Sequence, residues 1–370
     1  MWRFLFLFAS AMMLPASAAR AVTIETVPVG NPGNPADTRY VDSGVGGVHY
    51  AYRIGKYEVT AGQYCEFLNA VAAVDAYGLY DVEMWTSGAG CKIERFVGTG
   101  TQADPYQYRV ATDWANRPVN YVSWGDAARF CNWLHNGQPA GVQNASTTED
   151  GAYDLSATQA YYGPNGTMPM VDSADFWALN AALIDVNRRP GATWALPTLD
   201  EWYKAAYHKN DGPTGNYFDY PTGSDTPPSN LLIDPDPGNN ANFYRGFFPS
   251  GYTIGDPYYR TEVGEFENSE SLYGTFDQGG NVEEWTEAID ATKTRRGASG
   301  GTFATLTGAV PYQDAGYTLR ANRNSFGGQW PLGYGSTFGF RVIGIPEPNT
   351  SILVLIGTFC CLFRNRSRFD

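Results

Sequence analysis

The residue types most suited to chemistry are concentrated in Leu272–Trp285, LYGTFDQGGNVEEW. Asp277, Gln278, Gly279, Gly280, Asn281 and two further acids, Glu283 and Glu284, stand there between aromatic anchors. Glycine admits backbone conformations with positive φ that other residues avoid. Small oxygen-rich side chains beside such a turn can converge on a hard cation, whose ligands are carboxylates and carbonyls. If the chain after the turn is extended, alternate residues face one way, and Asp277, Gly280, Val282 and Glu284 become the oxygen donors. The rival reading is a hydrogen-bonded polar turn without metal.

A second set of oxygen donors lies upstream, in ANFYRGFFP and GDPYY. Asn242 and Asp256 supply side-chain oxygens there, with the carbonyls of Phe243 and Tyr258 beside them. Gly297-Ala298-Ser299-Gly300-Gly301 fits G-x-S-x-G, the nucleophile elbow of serine hydrolases. That elbow needs a later acid and histidine, and no histidine follows Ser299, so the motif is rejected. His49, His135 and His208 are scattered, and each reads as a surface or satisfied core residue.

These residues have to be positioned by regular elements. Arg53–Val59 suits a strand, and Thr60 with Gln63 has capping-box spacing. Tyr64, Phe67, Leu68 and Val71 follow at i, i+3, i+4 and i+7, one apolar helical face. Arg117–Leu134 repeats the plan: a short strand, Ser123 as N-cap with Asp126 three residues on, then Ala127, Phe130, Cys131 and Leu134. Thr198 and Glu201 open a third helix, with Trp202, Ala205 and Ala206 inward. Gly137–Gly191 reads as an insertion carrying one helix, Ser173–Val186, with Phe176, Leu179 and Leu183 on its apolar face. Asp75–Trp114 reads as irregular, and Asp211–Asn240 as loop. Arg295–Phe303 and Ser336–Val342 read as closing strands or turns. The pattern predicts one α+β domain rich in loops.

Composition excludes several classes. Aromatic residues make up 15% of the 370, too many for a disordered chain. The formal charge of −13 argues against a nucleic-acid partner, which needs a basic face. Such a surface suits cations or neutral ligands. Residues 1–21 have the layout of a secretory signal peptide: Arg3, the apolar run Phe4–Leu14, then Ala16-Ser17-Ala18. Residues 22–45 form a lead-in segment to a domain spanning 46–345. In an oxidising compartment Cys65, Cys91 and Cys131 allow one disulfide. Cys65 with Cys131 is the favoured pair because both fall on predicted helices, leaving Cys91 as an inert buried thiol.

Residues 346–370 begin Pro346-Glu347-Pro348, continue through the apolar run Ser351–Phe363 and end with Arg364, Arg366 and Arg368. That run is short of the ~20 residues that span a bilayer. The layout resembles the PEP-CTERM sorting signal of Gram-negative bacteria. The resemblance implies recognition by an exosortase, cleavage, only transient membrane contact through this segment, and delivery to the cell surface, outer envelope or extracellular matrix.

YEVTAGQYCEFLNAV, RPVNYVSWGDAARFCNWL, ALPTLDEWYKAA, YGTFDQGGNVEEW, RRGASGGTF and FGFRV occur in order between about residue 50 and residue 343. Together they resemble the formylglycine-generating-enzyme, or sulfatase-modifying-factor, domain. NWLHNGQ, TEDGAYDL and YPTGSDTPP with the C-terminal signal look like a group of secreted bacterial members. The resemblance implies a loop-rich α+β variant of the C-type-lectin fold with low regular secondary structure. It also implies two structural calcium sites. One would use the Asn242 side chain, the Phe243 carbonyl, the Asp256 side chain and the Tyr258 carbonyl. The other would use Asp277, the Gly280 and Val282 carbonyls, and Glu284. The family oxidises a substrate cysteine with copper(I) held by two cysteines, and soft thiolates are what such a site requires. By alignment with DAGYTLRANRN those positions are Ala315 and Arg320, and no cysteine lies between Cys131 and Cys360. Copper is therefore not expected, and no catalytic residue is assigned. Glu283 stands where the family usually has Trp, and Ser299 where it usually has Arg.

The expected protein is an exported, non-catalytic binding or structural member of the family. Its aromatic loops suit an extracellular polysaccharide or other surface polymer. The alternatives are formylglycine generation by a rearranged site or another oxidation, and a domain that only holds its place in the matrix.

Overall fold

The computed structural model describes residues 21–40, 42–245, 251–304, 319–321 and 327–345. Residues 1–20 of the proposed signal peptide, the sorting segment and Ala315 lie outside the described residues.

Three helices carry the capping boxes that the sequence predicts. In α1 (Ala61–Val71) the Thr60 hydroxyl accepts the Gln63 N–H while the Gln63 side chain accepts the Thr60 N–H. The helices at Trp124–His135 and Leu199–Tyr207 begin the same way, at Ser123/Asp126 and Thr198/Glu201. Each box satisfies two of the helix's orphan N–H groups. A short helix, α2, covers Glu83–Thr86, so Trp124–His135 is α3. The insertion's helix, α4, covers Ala174–Asp185 and is capped by Ser173, leaving Leu199–Tyr207 as α5. Phe176, Leu179 and Leu183 are buried as predicted.

The main core forms where α1 meets α3. Tyr64, Phe67, Phe130 and Trp133 are fully buried, and Phe340 packs edge-on to Tyr64 and Phe130. Burying each such side chain is worth about 1.5–3 kcal/mol, so this aromatic junction dominates the packing of the helices. A second cluster gathers Trp202, Tyr203 and Tyr207 of α5 with Tyr217 and Ala321.

Strands are short. β1 (Thr26–Val29), β2 (Tyr52–Gly55), β5 (Trp194–Ala195) and β10 (Ile343–Gly344) make one sheet in the order β1-β2-β10-β5. β3 (Ile93–Val97) and β4 (Gln107–Val110) form a hairpin. β6 (Glu283–Ile289), β7 (Arg296–Ser299), β8 (Gly327–Gln329) and β9 (Phe338–Gly339) make the third sheet, ordered β8-β7-β6-β9.

Several expectations need correction. The lead-in segment is structural, because Thr26–Val29 pairs along the edge of β2. The strand expected to reach Val59 ends at Gly55, where Lys56 N–H turns to the Glu25 carbonyl. No strand precedes Ser123: Val119 donates to Val59 but Tyr121, at φ 60°, donates to Gly335, so the bonds follow no single ladder. Asp75–Trp114 is not irregular throughout, since it holds α2 and the β3–β4 hairpin. Cys65 and Cys131 form no disulfide. Among the described residues the three cysteines are buried free thiols: Cys65 accepts from the Asn69 side chain on its own helix, and Cys91 lies against the Asn120 carbonyl. Burial pushes the Cys65 thiol up to about 12 and raises the other two, so all three are protonated and inert.

Candidate functional site

The Asp277–Glu284 stretch is a tight turn that runs into β6. Asp277, Gly280 and Asn281 all have positive φ, at 59°, 98° and 53°. A Cβ on Gly280 would lie 2.1 Å from the Asn242 carbonyl oxygen, so glycine is required there. Because β6 starts only at Glu283, the alternation of an extended chain does not place the four expected donors.

Glu284 is fully buried. Its carboxylate accepts from Arg341 Nε at 2.5 Å and Nη2 at 2.6 Å, and from Trp202 Nε1 at 2.8 Å. Arg341 also donates to the carbonyls of Gly55 and Phe276 at 2.9 and 2.8 Å. Asp277 accepts the Gly264 N–H at 2.6 Å, and burial pushes its carboxyl up to about 6.

A third acid, Glu58, joins these two. It is 2% exposed, and neither carboxylate oxygen has a hydrogen-bond partner. Burial raises its pKa well above the usual carboxylate range, and the charges of Asp277 and Glu284 raise it further. Sequence reasoning missed Glu58. The available signal was an acid between Tyr57 and Val59, immediately before the Thr60 cap.

Glu58 and Glu284 are buried and Asp277 is half-buried, and with one guanidinium among them ionising all three would leave excess negative charge, which is costly to bury unpaired. A divalent cation matches that deficit. Among the described residues no three acidic, histidine or cysteine side chains converge on one ion. A hard cation would thus take carboxylates together with carbonyls of the turn.

The other predicted set is only partly assembled. Asn242 Oδ1 is buried without a partner, while its Nδ2 donates to the Tyr259 carbonyl and to Asn281 Oδ1 at 3.0 and 2.8 Å. The Phe243 carbonyl accepts from Asn230 Nδ2 and Thr253 Oγ1, and the Tyr258 carbonyl from the Arg260 N–H. Asp256 is exposed on its turn. Asn281 Oδ1 also accepts the Thr261 N–H, so this amide stitches the two predicted sets together.

Arg320 is an ion-paired residue. Its Nη2 donates to Asp219 Oδ2 at 2.8 Å, while Asp219 Oδ1 accepts from Tyr40 and Arg39 at 2.5 and 3.0 Å. Burial opposes ionisation of Asp219, yet these donors hold it below the usual range. Ser299 is buried at the end of β7 with its hydroxyl unpartnered. Gly300 and Gly301 turn the chain there with φ of 109° and 70°, and among the described residues up to 304 no helix begins, so the strand–turn–helix of a nucleophile elbow does not form there. Glu283 is raised by burial to about 7. His135 Nδ1 is bonded to Thr193 and His208 to Thr214 and Tyr273, while His49 is exposed.

The architecture defines a loop-rich α+β protein of the C-type-lectin-like class, with its acids gathered under a glycine turn. Residues 44–344 match the model of the sulfatase-modifying factor enzyme 1-like domain, and the chain belongs to that family. Among solved structures, the chain is similar to that titled "Crystal Structure of CarF", at 21% identity and a TM-score of 0.48, covering 88% of this chain and 99% of that one. Variable protein 1 of Treponema denticola follows at 16% identity and 0.48, covering 89% and 98%. PvdO from Pseudomonas aeruginosa follows at 15% and 0.41, covering 90% and 97%. No curated protein matches the chain in sequence.

Proposed function

We propose that this is an exported, cell-surface or exopolysaccharide-associated member of the sulfatase-modifying-factor family that binds or organises rather than oxidises. The observation that carries this reading is Arg320. At an aligned copper-cysteine position stands a guanidinium paired to Asp219, a hard cation where a soft thiolate is needed. The body's three thiols are buried and protonated, so they offer no replacement donor. Copper does not fit this donor set.

Calcium fits better, at Asp277, the carbonyls of Gly280 and Val282, and Glu284. Its role would be to neutralise buried carboxylates and fix the turn. The unpartnered Glu58 carboxylate supports an added positive charge nearby. Asn242 Oδ1, also unpartnered, supports the other set at one of its four donors. Export and sorting by an exosortase rest on the layouts of residues 1–21 and 346–370.

The test is mass spectrometry of a cysteine-containing sulfatase-motif peptide incubated with the protein, oxygen and copper(I). An active family member serves as the positive control. An unchanged peptide is the expected result. Conversion of the cysteine to an aldehyde would overturn the reading.

A further inference from the structure

Among the described residues many large aromatic side chains are buried, but two indoles stand together at the surface. Trp177, on α4, is 42% exposed and Trp330 is 39% exposed. Their centroids are 5.1 Å apart at an interplanar angle of 88°, and the mostly buried Phe176 packs edge-on to both. Tyr334, 49% exposed, follows on the same loop.

The loop that carries Trp330 and Tyr334 is pinned at three points. The Pro331 carbonyl accepts the Trp124 N–H at the start of α3, and the Leu332 N–H donates to Asn180 of α4. The Gly335 carbonyl accepts the Tyr121 N–H. These rings are therefore presented by a fixed backbone, which lowers the ordering cost of binding.

We propose that Trp177, Trp330 and Tyr334 form a platform for a neutral polysaccharide. This rests on the reading of the chain as a binding protein and names the surface that does the binding. Indole faces pack on the apolar C–H faces of pyranose rings. Two rings at right angles offer separate sugar-sized surfaces rather than one flat apolar area, which disfavours a broad protein interface. Charge decides the polymer. The Tyr334 hydroxyl is raised by burial and then by the carboxylates of Asp81, Glu83 and Asp126, so the Tyr334 end of the patch is acidic. The whole chain carries −13. Uronate or sulfate groups would be repelled, whereas Asp81 and Glu83 can accept hydrogen bonds from neutral sugar hydroxyls.

The test is depletion of the full chain, purified in detergent, by an insoluble β-glucan, a galactomannan gel, alginate beads and chitosan. We expect retention on a neutral polymer, unaffected by a calcium chelator. The double variant Trp177→Ala/Trp330→Ala should lose at least tenfold in affinity, and Trp177→Phe/Trp330→Phe should retain part of it. Equal thermal midpoints for all three proteins exclude misfolding. Retention of the alanine variant at parental affinity would overturn the platform while leaving polysaccharide binding intact. Retention only on alginate or chitosan would overturn the neutral assignment. No retention on any polymer would overturn both the platform and the polysaccharide ligand. Self-association abolished by the alanine pair, without polymer retention, would reassign the surface to a second copy of the chain.

Discussion

Arg341 grips Glu284 through two hydrogen bonds of 2.5 and 2.6 Å, with both side chains fully withdrawn from solvent. The pair joins β6 to the segment that precedes β10, and Arg341 reaches back to Gly55 at the end of β2. It thereby ties the two larger sheets together. Removing one partner of a buried ion pair typically costs about 3–5 kcal/mol, because the other charge is left behind. Glu284→Gln should therefore lower the urea midpoint strongly and flatten the dependence of the melting temperature on calcium. A parental melting curve would refute the second calcium site and the structural weight given to the pair.

Glu58 gives a prediction with a change of sign. Its carboxyl is buried without a partner beside two other acids, so folding must either protonate it or bury its charge, and Glu58→Gln removes that cost when calcium is absent. In a chelator the variant should melt higher than the parent. In millimolar calcium the advantage should vanish or reverse, because the cation already offsets that charge. Calorimetry in both buffers decides. A variant equally destabilised in both would show that Glu58 is held by something other than charge.

Gly280 cannot be replaced cheaply. Its φ of 98° is strained for any side chain, and a Cβ would meet the Asn242 carbonyl at 2.1 Å. Gly280→Ala should cost several kcal/mol, on the order of the larger single-site effects, read from urea denaturation. A cost below about 1 kcal/mol would mean the turn can relax.

The pH dependence has a separate source in Asp126, the N3 acid of α3. Burial pushes it up to about 6 from 3.8, although Ser123 donates to it from both its backbone N–H and its hydroxyl. A carboxyl raised in the folded state gives stability that is fully present below the unfolded pKa and lost as pH rises through the folded one. Stability should thus fall between pH 4 and pH 6 by up to ~3 kcal/mol at about 1.4 kcal/mol per unit. Asp126→Asn keeps an acceptor for Ser123 and should remove that part of the slope in denaturation curves at each pH. An unaltered slope would assign it to other groups.

The three thiols of the body should resist iodoacetamide in the native protein and all react after unfolding in denaturant without reductant. Intact-mass measurement distinguishes this from a Cys65–Cys131 bridge, which would leave only one of the body's thiols reactive.

What the sequence made legible was local. The three capping boxes and the buried faces of α1, α3, α4 and α5 follow from spacings within a few residues. The strands did not, because segments such as Trp194–Ala195 and Ile343–Gly344 are too short to show alternation and are defined only by distant partners. The candidate site follows the same division. Asp277 and Glu284 were visible beside their glycines, whereas Glu58 looked like an ordinary strand acid. Its isolation arises only when Asp277 and Glu284 arrive from more than two hundred residues away. Trp177 fell outside the apolar face of its helix, and nothing local foretells its meeting with Trp330.

The β1-β2-β10-β5 sheet has a consequence for how the molecule is tethered. Val27 and Ile343 both stand opposite Ile54, so β1 and β10 flank β2 with roughly 10 Å between them. Both strands run antiparallel to β2 and so parallel to each other, which sends the segment leading into β1 and the one leading out of β10 off opposite ends of the sheet. A permuted chain that splices those segments would need a connection long enough to cross back along the strands. Conversely, a pull applied through the C-terminal tail would load β10 directly, peeling it from β2 on one side and β5 on the other.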